Sequence, residues 1–309
     1  MQKYETEQQV FEIDGVTFGG QPGQHPTVLC GSIFYDGHKI VSDGVEGVFD
    51  EGAARELLLA EAEYAEQFGL QRMPDVIGDT PKALIRYTEF VLDTVSGPIL
   101  VDSASIDTLV ATFEYFSHSE VMARLVLSPL DRHTQPEHYE ALAAYGVKNA
   151  LMMVFSPTAV KPKQKLELLL GKGTEETGLL AKAREAGIEN LLVDVGVIDM
   201  MGTAWSAMSI LEVNRALGLP TGCAPANALF SWQRTHRDSL STDRQTAAAG
   251  AAVYASTIFS GANFLLYGPM SCAEWAFPAC AVSDALMAYG NRLHGIKPTD
   301  KSHPLFKLK

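Results

Sequence analysis

Basic residues are scarce in this chain: 24 Lys and Arg stand against 37 Asp and Glu, a formal net charge of −13 over 309 residues. A groove for DNA or RNA neutralises phosphates with a basic footprint, so nucleic acid is not an expected partner. An acidic surface favours solubility and repels anionic membranes. Long apolar runs are also missing. The N-terminus MQKYETEQQVFEIDG has no apolar stretch of the kind a signal peptide needs. The stretch 246–266 is small and apolar, but Gly250, Ser256, Ser260, Gly261 and Asn263 interrupt it. It predicts a buried Ala-rich helix followed by a strand, with no membrane span. A cytoplasmic location is expected.

Other absences exclude particular chemistries. The cysteines are Cys30, Cys223, Cys272 and Cys280, each in an apolar or small-residue setting and none in a C-x-x-C pair. They read as reduced thiols. The histidines form no H-x-x-x-H or H-E-x-x-H pair, so no metal site is expected. No strand candidate runs into G-x-G-x-x-G, which argues against a dinucleotide fold, and there is no G-x-S-x-G elbow. Gly173–Gly178 starts like a phosphate loop, but Leu179 follows where Lys is needed, and Glu175 and Glu176 would repel phosphate. Asp131-Arg132-His133 begins like the Asp-x-His-x-x-Gly loop of corrinoid-binding domains, but Pro136 replaces the glycine.

What is present is alternation. Val10 to Ile13 and Val16 to Phe18 alternate apolar and polar around Asp14-Gly15, the sequence of a type I′ hairpin turn. Gly19-Gly20-Gln21-Pro22-Gly23 then breaks regular structure. Residues 1–26 therefore read as a hairpin extension, a lid or a plug. Strands are predicted at 28–34, 74–78, 99–102, 124–128, 150–155, 191–194, 221–223 and 263–267. Helices are predicted after Asp50 and after Thr80-Pro81, and at 106–116, 136–145, 175–186, 203–217 and 272–289, with an insertion at 156–173. Eight strands alternating with helices describe an α/β protein of the TIM (β/α)₈ barrel type. The barrel is expected to span 27–292, with a C-terminal tail at 293–309.

Three polar residues follow apolar strands. Asp102 ends Ile99-Leu100-Val101, Asp194 ends Leu191-Leu192-Val193, and Asn227 follows the turn Leu219 to Cys223. Each aspartate could cap the next helix or pair with an arginine inside the barrel, and Asn227 could be a turn residue. In a barrel, however, strand ends converge on one mouth. Two carboxylates there suit a ligand with a row of N–H donors. A reduced pterin has such a row in its 2-amino group, N3–H and N8–H.

Gly19-Gly20-Gln21-Pro22-Gly23, Thr27-Val28-Leu29, Tyr35-Asp36-Gly37-His38-Lys39-Ile40-Val41, Val101-Asp102-Ser103 and Val193-Asp194-Val195 together resemble the H-subunit family of tetrahydromethanopterin S-methyltransferase. The resemblance runs over nearly the whole chain and points most to bacterial members that work with tetrahydrofolate. It implies a pterin-binding barrel, usually a homodimer. It implies methyl transfer between N5 of the tetrahydropterin and the cobalt of a corrinoid on a separate protein, serving catabolism of a methylated amine or betaine. Tetrahydromethanopterin as carrier, or a non-catalytic subunit that docks a corrinoid protein, are the alternatives. Residue by residue, the resemblance makes Asp102 a pterin ligand after the third barrel strand. Asp194 would hold the 2-amino/N3 edge, and Asn227 would contact N5 as the catalytic group. Relatives have an Asn after the fourth strand; here Ser128 stands at that position, with a shorter reach and one donor.

Overall fold

The computed structural model describes residues 3–171, 177–236 and 241–308. In chain order the strands are β1 (Val10–Ile13), β2 (Val16–Gly19), β3 (Val28–Ile33), β4 (Val41–Asp43), β5 (Val48–Phe49), β6 (Gln71–Arg72), β7 (Asp75–Ile77), β8 (Ile99–Asp102), β9 (Leu125–Leu130), β10 (Asn149–Met153), β11 (Asn190–Asp194), β12 (Thr221–Cys223) and β13 (Phe264–Pro269). The α-helices are α1 (Glu51–Phe68), α2 (Pro81–Thr94), α3 (Ile106–Phe116), α4 (Pro136–Ala144), α5 (Pro162–Leu170), α6 (Leu179–Glu185), α7 (Thr203–Leu217), α8 (Pro225–Thr235), α9 (Asp243–Phe259), α10 (Ala273–Asn291) and α11 (Pro304–Lys307).

Strands β3 and β7 to β13 are parallel neighbours in chain order, and β13 returns to pair with β3. That closure makes the eight-stranded barrel the sequence predicts. The second stave is broken: β6 pairs with the start of β3 and β7 with its end. Pro74 lies at the break, where it has no N–H to give to a ladder. Three of the early helices start where side chains cap them. Asp50 accepts from the Ala53 N–H, Thr80 from Ala83 and Ser105 from Thr108. Helix α1 ends on Gly69 at φ 70°, and a Cβ there would stand 1.9 Å from the Ser302 carbonyl oxygen. The C-terminal segment is thus packed against the barrel: His303 is fully buried and Leu305 is buried beside it.

Strand side chains alternate between two cores. Leu29, Ile33, Val101, Leu127, Leu191 and Val193 face the helices. Val28, Cys30, Met73, Leu100, Val126, Leu151, Leu192 and Phe264 pack together in the other, which fills the barrel. Ile13 and Phe18 of the hairpin join this second cluster. Val28 and Phe264 are the first residues of their strands, so the hairpin plugs the N-terminal end of the barrel and leaves the other end open. Its turn has Asp14 at φ 43° and Gly15 at φ 79°, as a type I′ turn requires. Phe18→Ala removes a fully buried ring and is expected to cost about 3–5 kcal/mol of stability. Urea unfolding reads this loss, and ligand affinity at the open end should be unchanged.

Details differ from the sequence reading, among them helix α8 (Pro225–Thr235), where no helix is predicted. The 156–173 insertion contains helix α5, entered through Pro162 at its first turn; the interruption by Lys161, Lys163 and Lys165 hides its apolar stripe. The helix predicted from 175 is seen from Leu179, and Glu175 and Glu176 lie outside the described residues, as does most of Gly173–Gly178. Among the described residues no helix is long and apolar enough to cross a membrane.

Candidate functional site

The inward alternation that buries Leu100, Val126 and Leu192 continues two residues on, to Asp102, Ser128 and Asp194. The sequence therefore delivers polar side chains to the barrel interior at the C-terminal ends of β8, β9 and β11. Register brings the first two together. Asp102 lies beside Ser128, and the Ser128 hydroxyl donates to Asp102 Oδ2 at 2.7 Å. Ile77 flanks Asp102 from the other side. Asp194 is paired with Gly222 and takes the Gly196 N–H on Oδ1 at 2.6 Å. The structure thus places Asp102 and Asp194 at the same end of the barrel.

A third interior carboxylate, Asp75, is not among the residues that the sequence singles out. It opens β7 in register with Leu100, one layer below Asp102. The Ser32 hydroxyl donates to its Oδ2 at 2.6 Å, and its Oδ1 is buried without a hydrogen-bond partner. The sequence signal is weak because Asp75 begins its strand, while Asp102 and Asp194 end theirs. The spacing Met73-x-Asp75-x-Ile77 is the inward period that could have exposed it.

Burial sets the electrostatics. It pushes Asp102 up to about 6, opposed by the Ser128 hydrogen bond and assisted by the charge of Asp194. It pushes Asp194 up to about 6 as well, opposed by the Gly196 N–H and by Lys165. Asp75 is raised well above the ordinary carboxylate value, by burial and then by the charge of Asp102. The interior thus holds carboxyl groups at the ends of β8 and β11 and a third one layer beneath Asp102, where burial favours the neutral form.

Above this layer is a cavity of about 570 Å³, walled by Ser32, Ile77, Ile198, Asn227, Phe230 and Arg234 among others. Ser32 and Ile77 connect it to Asp75 and Asp102. Asn227 lies in the first turn of α8, exposed on the cavity wall, so it projects from the loop end and not from a stave. Tyr35 closes another side and stacks on His38 at 4.4 Å. The Asn227 amide is part of the cavity wall, while Asp75 and Asp102 adjoin it through Ser32 and Ile77 and are not themselves in the wall. No group of three or more His, Cys, Asp or Glu able to hold a metal ion occurs among the described residues.

Residues 6–299 match the family model described as Tetrahydromethanopterin S-methyltransferase MtrH subunit. The H subunit of tetrahydromethanopterin S-methyltransferase from Methanopyrus kandleri is 34% identical over 96% of each chain. The corresponding H subunit of Methanococcus aeolicus is 35% identical over the full length of both. Among solved structures, a Yersinia pestis dihydropteroate synthase with a pterine–sulfa conjugate superimposes with a TM-score of 0.61 at 13% identity, covering 90% of this chain and 98% of that one. A Xanthomonas albilineans dihydropteroate synthase gives 0.58 at 18% identity, covering 91% and 98%. The structural likeness bears on the fold: both are barrels of the same kind. With the whole-length sequence match, the chain belongs to the family of the tetrahydromethanopterin S-methyltransferase H subunit.

Proposed function

We propose that this protein is a methyltransferase that moves a methyl group between N5 of tetrahydrofolate and a corrinoid carried by a separate protein, in catabolism of a methylated amine or betaine. The observation that carries the reading is the pair Asp102 and Asp194, both inside the barrel at its open end. Family membership and the relatives' names support pterin methyl transfer. Tetrahydromethanopterin, the carrier in those names, is the alternative, and both carriers present the same 2-amino, N3–H and N5 groups.

In this reading Asp194 accepts from the 2-amino group and N3–H, while Asp102, steadied by the Ser128 hydroxyl, accepts from another ring N–H. Asn227 stands at the rim toward N5. Its neutral amide cannot protonate N5, but it can accept from a protonated N5 or donate to a neutral one. Toward tetrahydrofolate, N5 takes the methyl group as the neutral amine and gives up its N–H proton to solvent; in the reverse direction N5 must gain a proton before the methyl leaves. Methyl transfer is an in-line displacement, so the partner must approach over the mouth. The corrinoid, when its protein docks there, supplies the cobalt that carries the methyl group. This chain contributes position: one bound geometry replaces a bimolecular search.

The test is direct. Purified protein is mixed with methylcobalamin and either tetrahydrofolate or tetrahydromethanopterin, and loss of methylcobalamin absorbance is followed. Turnover with tetrahydrofolate is the expected result. Turnover only with tetrahydromethanopterin would reassign the carrier, and none with either would favour a docking subunit without catalysis.

We also propose a homodimer through the late helices. Val282, Leu286, Tyr289 and Leu293 are exposed and recur along one face of α10 and its extension. A second copy covers such a face by two-fold symmetry. Light scattering should give twice 33.5 kDa at micromolar concentration; a monomer mass would refute the pairing.

A further inference from the structure

Lys165 is among the most buried charged residues of the protein, at 1% exposure. It rises from α5, the helix in the insertion, and reaches the end of β11. Its Nζ donates to the Val195 carbonyl at 2.5 Å and to the Gly196 carbonyl at 3.2 Å. Gly196 is a junction. Its carbonyl also accepts from Ser206 Oγ at 2.6 Å, and its N–H donates to Asp194 Oδ1 at 2.6 Å. Gly196 has φ 65°, and a Cβ there would stand 3.3 Å from Phe155. The turn is therefore fixed from three directions, and its N–H is aimed at the site carboxylate.

We infer that Lys165 is a positioning residue of the site: it clamps the Val195–Gly196 turn that aims Asp194, and it supplies the positive charge that Asp194 faces. This rests on the reading of Asp194 as the pterin ligand. A cation sealed in a protein costs several kcal/mol unless it is compensated, and an apolar side chain of the same volume fills space at less cost. Among the described residues no carboxylate oxygen pairs with Lys165 within 4 Å, so a simple salt bridge does not account for its charge. Burial pulls Lys165 down, and Asp194 is the first group to oppose that. The other titratable groups facing Asp194 are Asp102 on β8, Cys223 on β12 and Cys30 on β3. Both thiols are raised well above their ordinary value by burial and stay neutral. Asp102 is of like charge. Lys165 is thus the opposing cation in this set, and it works from the turn and not through the ligand.

The Gly196 amide reports Asp194 ionisation without any pterin, because it donates to that carboxylate. In glycine-labelled protein its resonance is followed from pH 4 to pH 9. Lys165→Gln keeps a donor for the carbonyls and removes the charge. It should raise the Asp194 midpoint by about one unit, and Lys165→Arg should restore it. At pH 6.5 Lys165→Gln should also bind tetrahydropterin several-fold more weakly, with little change at pH 8.5. A midpoint unmoved in folded Lys165→Gln overturns the inference and leaves a packing residue. If the Lys165 variants do not fold, Asp194→Asn serves. The Lys165 side-chain titration should then fall by a similar amount, and an unchanged titration overturns the inference. Failure of the wild-type protein to bind any tetrahydropterin removes the pterin reading alone, since both midpoints are measured without ligand.

Discussion

Asp194→Ala is expected to raise the Kd for a tetrahydropterin by at least about tenfold. A carboxylate that accepts two N–H bonds contributes about 1.5–3 kcal/mol per charge-assisted bond, and about 1.4 kcal/mol is a factor of ten. Calorimetry on a folded variant measures it, and unchanged affinity would remove Asp194 from the ligand set. The isosteric Asp194→Asn separates a lost site from a lost fold. Burial holds the wild-type carboxyl up at about 6, above the unfolded value of about 3.9. Its contribution to stability is therefore fully present below the unfolded value and is lost as pH rises through about 6. At pH 7 the wild type bears that cost and Asp194→Asn does not, so the amide variant should melt at a higher temperature while binding less. Protein interiors trade stability for function at such sites.

Asn227→Ala should show the opposite balance. In the proposed reaction its amide would stabilise charge that develops at N5 during transfer more than it stabilises bound pterin. The expected loss in kcat is on the order of 10²-fold, with a smaller change in Kd, as for removal of one donor from a charge-stabilising site. Single-turnover rates at saturating pterin make the distinction. If Asn227→Ala keeps its rate and loses only affinity, Asn227 is an anchor, and the group that acts on N5 lies elsewhere on the cavity wall. Its exposure on α8 leaves the side chain free to rotate toward either protonation state of N5.

Much of this was legible in the residues. Ile99-Leu100-Val101 and Leu191-Leu192-Val193 are short apolar runs that alone locate β8 and β11. Asp102 and Asp194 were visible because a charge ending such a run breaks its pattern. Asp75 was not, because Pro74 splits its strand and places the carboxylate at the start of β7. Period-two alternation relates residues along one stave, but register across staves decides depth, and register is a property of closure. Lys165 was hidden for another reason. In sequence it is one of several lysines around α5, and only the packing of that helix over the β11 turn buries it. The hairpin could be placed from Asp14-Gly15, yet whether it was lid or plug depended on which cluster Ile13 and Phe18 joined.

The central claim is that carboxylates at the strand ends receive the N–H edge of a pterin in their ionised form. Its most direct test is calorimetric titration of tetrahydrofolate into the wild type and Asp194→Asn between pH 5 and pH 8, in buffers of different ionisation enthalpy. Both aspartates are held up at about 6 by burial, so ligand that needs them charged must displace protons below that pH. The expected result is wild-type affinity that is level above about pH 7 and weakens as pH falls through about 6, with proton release on binding. Asp194→Asn should bind more weakly throughout and lose part of that pH dependence. Wild-type affinity that is independent of pH over this range, or equal in Asp194→Asn, would contradict the site.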